Sequence, residues 1–319
     1  MKKVVITGGS GFIGTNCVQF FIDKGYKVLN LDLREPLNKS HKKYFCNLDI
    51  AKKNDLEKKM LEFEPDYIIH LAGKTGMESM EPDFYEFNYI SAKNICDVSL
   101  KLTNLKKVVF TSSLLVCRNG YLPKSDTDFC PPNGYGHSKA LSEIVVRESN
   151  IAVSWDIVRP TSIWGPWFSG GYKLFFKLVS KGLYFNPKTD PIIKPTCYSG
   201  NAVYMIYKIM ASEESGRVFY LADYPQTSVQ DWANLIFKNT NKNNRLKSIP
   251  IFVLKIIAKL GDIFRVIGLN APLTSQRLNN MLVSKKYPIE NTKKIVGSLP
   301  FNREDAVIQT LEWINSENK

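Results

Sequence analysis

The stretch from Val4 to Gly14 constrains the chain more than any other. A short β-branched run, Val4-Val5-Ile6, leads into Thr7-Gly8-Gly9-Ser10-Gly11-Phe12-Ile13-Gly14. Such a run reads as a buried parallel strand. A strand that ends in a glycine-rich turn and opens a helix makes an anion site. Gly8 permits the tight turn, Gly11 lets a pyrophosphate approach the backbone, and Gly14 lets the helix pack close to the sheet. The helix N-terminus turns N–H groups and the positive end of its dipole toward the phosphates. An ordinary strand-turn-helix could use the same glycines, so the residues that follow have to decide.

At 319 residues, with 44% hydrophobic and 23% charged side chains, the chain has the composition of a soluble globular protein. MKKVVITGG holds too short an apolar core for a signal peptide, and no uncharged apolar run is long enough to span a bilayer. The six cysteines form no close pair and the three histidines no ligand cluster, so neither a disulfide framework nor a metal site is expected. The expected location is the cytoplasm. The net charge of +13 is spread over scattered lysines. It reads as a solvated surface or as attraction to acidic small molecules or membranes. Without an arginine-rich tract it does not read as a nucleic-acid site.

After Gly14 a helix runs to about Lys24, and Gly25 closes it. The second strand, 26–31, ends in Asp32, placed 18 residues after Gly14. That is close to the spacing of the acid that holds a ribose 2′-OH, and it favours NAD over NADP. Arg34 pulls the other way, since a nearby Arg can accept a 2′-phosphate. Asp49 either reaches the adenine amino group or caps the helix from about Lys52 to Phe63. Further strands at 67–71 and 107–110 alternate with a long helix expected over 81–102. The alternation predicts an α/β fold: a Rossmann-type doubly wound parallel sheet, with ligands outside the carboxyl ends of its strands.

Tyr135 and Lys139 lie four residues apart and so on one face of the next helix. A phenol is a poor base at neutral pH. An ammonium one turn away, together with an oxidised nicotinamide, favours phenolate. Ser113, after the fifth strand, is positioned to hold the oxygen whose proton Tyr135 moves.

In this order, TGGSGFIG, LDLRE, LDI, HLAGK, FTSSLLV, YGHSK and IVRPTSIWGP resemble the extended short-chain dehydrogenase/reductases, in particular the NAD-dependent epimerase/dehydratase family. The resemblance covers about the first two hundred residues well. It implies that Ser113, Tyr135 and Lys139 are catalytic. It also implies that Gly8, Gly11, Phe12, Ile13, Gly14, Asp32, Asp49, Ile50, Leu71, Ala72, Gly73, Lys74 and Asn88 contact the cofactor, as do Tyr135 and Lys139. Pro160 and the stretch to Trp167 would lie between nicotinamide and substrate, or serve as packing.

Two departures stand out. The family's tyrosine-glycine after the serine loop is Cys117-Arg118 here, near the substrate. Where the dehydratases carry Thr-Asp-Glu, this chain has Ser113-Leu114-Leu115, which lacks the acid and base that eliminate water. The expected activity is therefore NAD-dependent 4-epimerisation of a nucleotide-diphosphate sugar through a transient ketone, in surface polysaccharide synthesis. The alternative is an NAD(P)H-dependent 4-ketoreductase. The resemblance also implies a homodimer through the helices near 81–102 and 134–149.

Residues 1–165 are expected to form the NAD-binding domain. Residues 166–319 should be mainly a smaller, mostly helical substrate lobe, interleaved with late sheet elements. Within that lobe, IFVLKIIAKLGDIFRVIG (251–268) gathers Lys255, Lys259, Asp262 and Arg265 on one helical side and leaves the rest apolar. Either the apolar face packs on the core, or it dips into the inner face of a membrane as a peripheral contact.

Overall fold

The computed structural model describes every residue except 77–78, 122, 241–245, 270, 272, 286 and 318–319. The chain begins with β1 (Lys3–Thr7), α1 (Phe12–Asp23), β2 (Lys27–Asp32), β3 (Phe45–Asn47), α2 (Lys53–Phe63) and β4 (Tyr67–His70). It continues with α3 (Phe87–Ser99), β5 (Lys107–Thr111), α4 (Gly134–Glu148), β6 (Ser154–Pro160) and β7 (Ser162–Trp164). Next come α5 (Gly171–Ser180), β8 (Asn186–Lys188), β9 (Thr196–Tyr198), α6 (Ser199–Met210), β10 (Val218–Leu221) and α7 (Val229–Thr240). The remaining elements are β11 (Ser248–Pro250), α8 (Ile251–Val266), α9 (Ser275–Leu282), α10 (Glu290–Val296) and α11 (Arg303–Ser316).

Seven strands form one parallel sheet in the order β10-β6-β5-β4-β1-β2-β3. β1 pairs with β2 on one side and β4 on the other, so the strand order reverses there and opens a crevice at the carboxyl end. The strands are apolar because both faces are covered. Val4, Val5, Ile6, Ile68, Ile69, Val108 and Val109 are all fully buried. This is the doubly wound sheet that the strand-helix alternation predicts.

Two compact units emerge. One comprises residues 1–167, 197–222 and 288–300; the other comprises 168–196, 223–287 and 301–319. Where our sequence reading divides the chain near residue 165, contacts divide it after Trp167 and then return α6, β10 and α10 to the sheet unit. In the second unit α5, α7 and α11 meet around Phe168, Phe176 and Trp232. A short β8–β11 pair and the α8–α9 hairpin complete it.

The long helix expected over 81–102 is instead two elements. A 3₁₀ turn, Pro82–Tyr85, precedes α3, which starts only at Phe87. Pro82 holds the first position of that turn, where its missing N–H costs no helical bond. Asn88 sits in the first turn of α3.

Candidate active site

The glycine-rich turn has the close approaches its function would require. Gly8 has φ +72°, and a Cβ there would lie 2.6 Å from the Ala72 amide nitrogen. The end of β4 thus presses against the turn, and only glycine fits. At Gly14 a Cβ would stand 2.1 Å from the Gly8 carbonyl oxygen and 2.6 Å from Gly9 Cα. Gly14 accordingly packs against the turn itself and not against the sheet, which corrects the expected role. At Gly11 the space is nearly open: a Cβ would meet only the Gly8 carbonyl at 3.3 Å and an Arg34 guanidinium nitrogen at 3.9 Å. No side chain caps α1, and its first turn carries no acid. A dinucleotide diphosphate fits a cradle of this kind.

Asp32 ends β2 beside this turn. One carboxylate oxygen accepts from the Ser10 amide and the other from the Arg34 amide, both at 3.0 Å. The carboxylate is thereby fixed in direction and keeps lone pairs for a ribose hydroxyl. Arg34 reaches back over the turn toward Gly11. Asp49 accepts from the Ala51 amide at 2.9 Å, while Lys52 holds the N-cap position of α2 without a side-chain cap bond. Asp49 therefore organises the turn before α2 and is not its cap. Ile50 is buried beneath that turn.

Beyond β4, Leu71-Ala72-Gly73-Lys74 runs past the crevice. Asn88 clamps this segment. It accepts from the Lys74 amide at 2.7 Å and donates to the Lys74 carbonyl at 3.0 Å and to Ser138 Oγ at 2.9 Å. The Lys74 ammonium lies 3.3 Å from the centre of the Phe84 ring. A Cβ on Gly73 would sit 3.2 Å from Lys139 Nζ, so the segment also abuts the α4 lysine.

Ser113 and Tyr135 are brought together by α4. Asn133 caps that helix, accepting from the Gly136 amide at 2.8 Å. Gly136 lets the first turn press on the 3₁₀ turn Leu114–Val116: a Cβ there would lie 2.2 Å from the Leu115 carbonyl. The Ser113 hydroxyl lies near enough to the Tyr135 phenol to lower its proton affinity, and Tyr85 packs edge-on to the Tyr135 ring at 5.9 Å. One turn on, Lys139 is buried and donates to the Thr111 carbonyl at 2.8 Å.

The electrostatics differ from the simple expectation. Burial raises the Tyr135 phenol, the Ser113 hydroxyl opposes that rise, and Tyr85 adds to it. Lys139 is not among the causes. Its own ammonium is pushed down to about 8 by burial, with Glu143 opposing. Burial outweighs the Ser113 hydroxyl, so the phenol stands above its ordinary value.

Several partners escape a reading based on motifs. His70, at the end of β4, has Nδ1 2.8 Å from Thr7 Oγ1 and Nε2 3.5 Å from Ser91 Oγ. The Ala72 amide also donates to Thr7 Oγ1, at 3.3 Å, so this hydroxyl ties the end of β4 to His70. Burial, then Lys139, pushes His70 down to about 3. Glu143 and Arg159 form a buried bidentate pair with both bonds at 2.8 Å. Pro160 follows Arg159 at the end of β6. The Thr111 and Ser112 hydroxyls have no hydrogen-bond partner among the described residues and line a small cavity whose other polar walls include His70, Asn88, Lys139 and Glu143 and whose apolar walls include Phe110 and Ile157. For His70, Thr111 and Ser112 the sequence signal is a polar residue ending or following an apolar strand; Glu143, within α4, carries none.

Cys117 is removed from this chemistry. It is buried with Val116 and Ala140 under Tyr121 and Phe129, and its thiol meets the Asp128 carbonyl at 3.3 Å.

Residues 4–213 match the sequence profile of the NAD dependent epimerase/dehydratase family. UDP-glucose 4-epimerase of Vibrio cholerae is 24% identical over 272 residues, covering 81% of this chain and 82% of that protein. N-acetyl-alpha-D-glucosaminyl-diphospho-ditrans,octacis-undecaprenol 4-epimerase of Escherichia coli O157:H7 is 22% identical over 324 residues, covering 98% and 95%. Among solved structures, UDP-glucose 4-epimerase from Thermotoga maritima with UDP-glucose superposes with a TM-score of 0.73 at 19% identity, covering 99% of this chain and all of that one. At that identity the likeness is one of fold.

Proposed function

The chain belongs to the NAD-dependent epimerase/dehydratase family, enzymes of the extended short-chain dehydrogenase/reductase type, and we propose that it is a nucleotide-sugar 4-epimerase acting through a transient 4-keto sugar. The observation that carries this reading is the placement of Ser113 beside the Tyr135 phenol, one helical turn from buried Lys139. When bound, NAD supplies the acceptor and donor of hydride. Gly8, Gly11, Phe12, Ile13 and Gly14 would hold its diphosphate, Asp32 and Arg34 its adenosine ribose, and Asp49 and Ile50 its adenine. Leu71, Ala72, Gly73, Lys74 and Asn88 would line its path, with Tyr135, Lys139 and Pro160 at the nicotinamide end.

Tyr135 takes the proton of the hydroxyl on sugar carbon four and later returns it. Ser113 hydrogen-bonds the same oxygen and keeps it in line with the phenol. Tyr135 has to enter that step as phenolate, and the Lys139 ammonium, with an oxidised nicotinamide when NAD is bound, would favour that form. The lowered proton affinity of Lys139 still leaves it mainly charged at neutral pH. Leu114 and Leu115 carry no acid or base, so nothing in this turn serves the elimination of water.

One relative is named for a UDP-linked sugar and another for a sugar on undecaprenol diphosphate. A sugar carried on diphosphate is the shared chemistry. A homodimer and a place in surface polysaccharide synthesis rest on the same family resemblance.

The test is an assay of purified protein against UDP-, GDP-, CDP- and dTDP-sugars, with a polyprenyl-diphospho-sugar as a further arm. The expected result is interconversion of one nucleotide-sugar pair with no net change in reduced nicotinamide. Net oxidation of added NADPH by a keto sugar would replace the epimerase with the ketoreductase. Turnover of the polyprenyl substrate alone would move the substrate class.

A further inference from the structure

Helix α8 inverts the usual arrangement of a packed amphipathic helix. Its buried seam is Leu254, Ala258 and Gly261, which meets Leu278 of α9 and its neighbours. At Gly261 a Cβ would stand 1.9 Å from the Leu273 carbonyl, so the helix lies close to that segment along small residues. The bulky apolar residues point away. Phe252, Ile256, Ile257, Leu260, Ile263 and Phe264 are between 42% and 64% exposed. At 100° per residue they form one broad stripe on the side opposite the seam. The apolar face is not core-facing, which corrects that alternative of the sequence reading. Val266, Ile267 and Leu269 extend the apolar surface past the helix end.

Lys255 and Lys259, both exposed, lie one turn apart and border the stripe. The stretch of sequence that holds them shares their sign: from residue 241 to 287 it has nine Lys and Arg and one acid, Asp262. Asp262 is itself turned inward, accepting from the Ser275 amide at 3.0 Å. A second copy of this chain would bring two such cationic segments together, each on a chain of net charge +13. An anionic surface complements them. The helix has 16 residues, and no helix among the described residues is long and apolar enough to cross a membrane.

We propose that α8 is a peripheral membrane anchor that lies in the headgroup layer of an anionic phospholipid bilayer. The Phe252–Ile256–Ile263–Phe264 stripe enters the acyl boundary, and Lys255 and Lys259 sit among the phosphates. Apolar burial and basic attraction act together in such helices, and only the second is weakened by salt. The proposal is independent of the catalytic reading, because binding is read without substrate.

The experiment is co-sedimentation of the full-length protein with vesicles of phosphatidylcholine and phosphatidylglycerol, compared with phosphatidylcholine alone. The expected result is binding to the anionic vesicles, weakened by salt. The pair Ile256→Glu/Ile263→Glu should lower that binding by about tenfold or more, and Lys255→Gln/Lys259→Gln should reduce its salt dependence. All four side chains are exposed, so thermal melting and cofactor binding of these variants should match the parent protein. Binding that ignores lipid charge, or that survives the Glu pair, overturns the proposal. So does sedimentation velocity without lipid that finds a dimer dissociated by Ile256→Glu, which would assign the stripe to a second copy.

Discussion

At the scale of single residues, the site separates into groups held from behind and groups presented forward. Asp32 is held by two backbone amides, so its carboxylate has a fixed direction, as the proposed contact with a ribose would require. Asp32→Ala should weaken NAD by about 10- to 100-fold, the value of a charge-assisted hydrogen bond. With Arg34 already reaching toward Gly11, the same variant should bind NADP more tightly than the parent does. Calorimetry on cofactor-free protein measures both. NADP binding as tight as NAD in the parent would reverse the assignment and favour the reductase. Tyr135→Phe removes only the hydroxyl beside Ser113. Turnover should fall by about 10²- to 10⁴-fold, the usual contribution of a positioned acid-base group. NAD affinity should stay within a few-fold. Unchanged turnover would remove Tyr135 from the mechanism.

At the scale of elements, three glycines in one turn serve different ends, and substitution separates them. Gly14 faces the Gly8 carbonyl at a distance no side chain tolerates, so Gly14→Ala should overpack the turn and cost about 1–3 kcal/mol or more of stability. At Gly11 the protein leaves almost enough room for a methyl group. Gly11→Ala should therefore melt close to the parent and lose dinucleotide affinity, because the methyl fills the approach to the diphosphate. Paired thermal melts and cofactor titrations test this. A Gly11→Ala protein that binds NAD like the parent would mean the diphosphate lies elsewhere. α4 carries the corresponding logic for catalysis, since Gly136 allows the approach that joins Tyr135 to Ser113.

At the scale of the whole molecule, a buried network sets the response to acid. His70 lies neutral under the crevice, and burial holds it near 3 against an ordinary value of about 6.5. The unfolded chain therefore binds a proton between those values that the folded chain refuses. Stability falls as pH drops through this window, by up to about 1.4 kcal/mol per pH unit from this group. His70→Gln should remove that share of the slope. Denaturant titrations from neutral pH down to about pH 5 would measure it. An unchanged slope in the variant would shift the acid response to the carboxylates.

By itself the sequence determined what depends on local spacing. The strand-turn-helix at Val4–Gly14, the acid closing the second strand and the Tyr135–Lys139 pair on one helix face follow from two periods, 2.0 and 3.6, with glycine where the backbone needs room. Those features suffice for the doubly wound sheet and for most of the site. Contacts between distant segments were decided only by tertiary structure. Ser113 stands beside Tyr135 where Gly136 presses on Leu115, and Asn88 at the start of α3 clamps Lys74 across 14 residues of chain. No spacing encodes either approach. The same holds for the balance of charge: a lysine four residues from a tyrosine is legible, whereas the burial that raises the phenol and lowers the ammonium depends on everything packed around both. α8 marks the limit most plainly. A pattern of charges and apolar residues defines two faces of a helix, but which face meets protein depends on what α9 and Leu273 leave open. Here they take the narrow seam of Leu254, Ala258 and Gly261 and turn the bulky face outward.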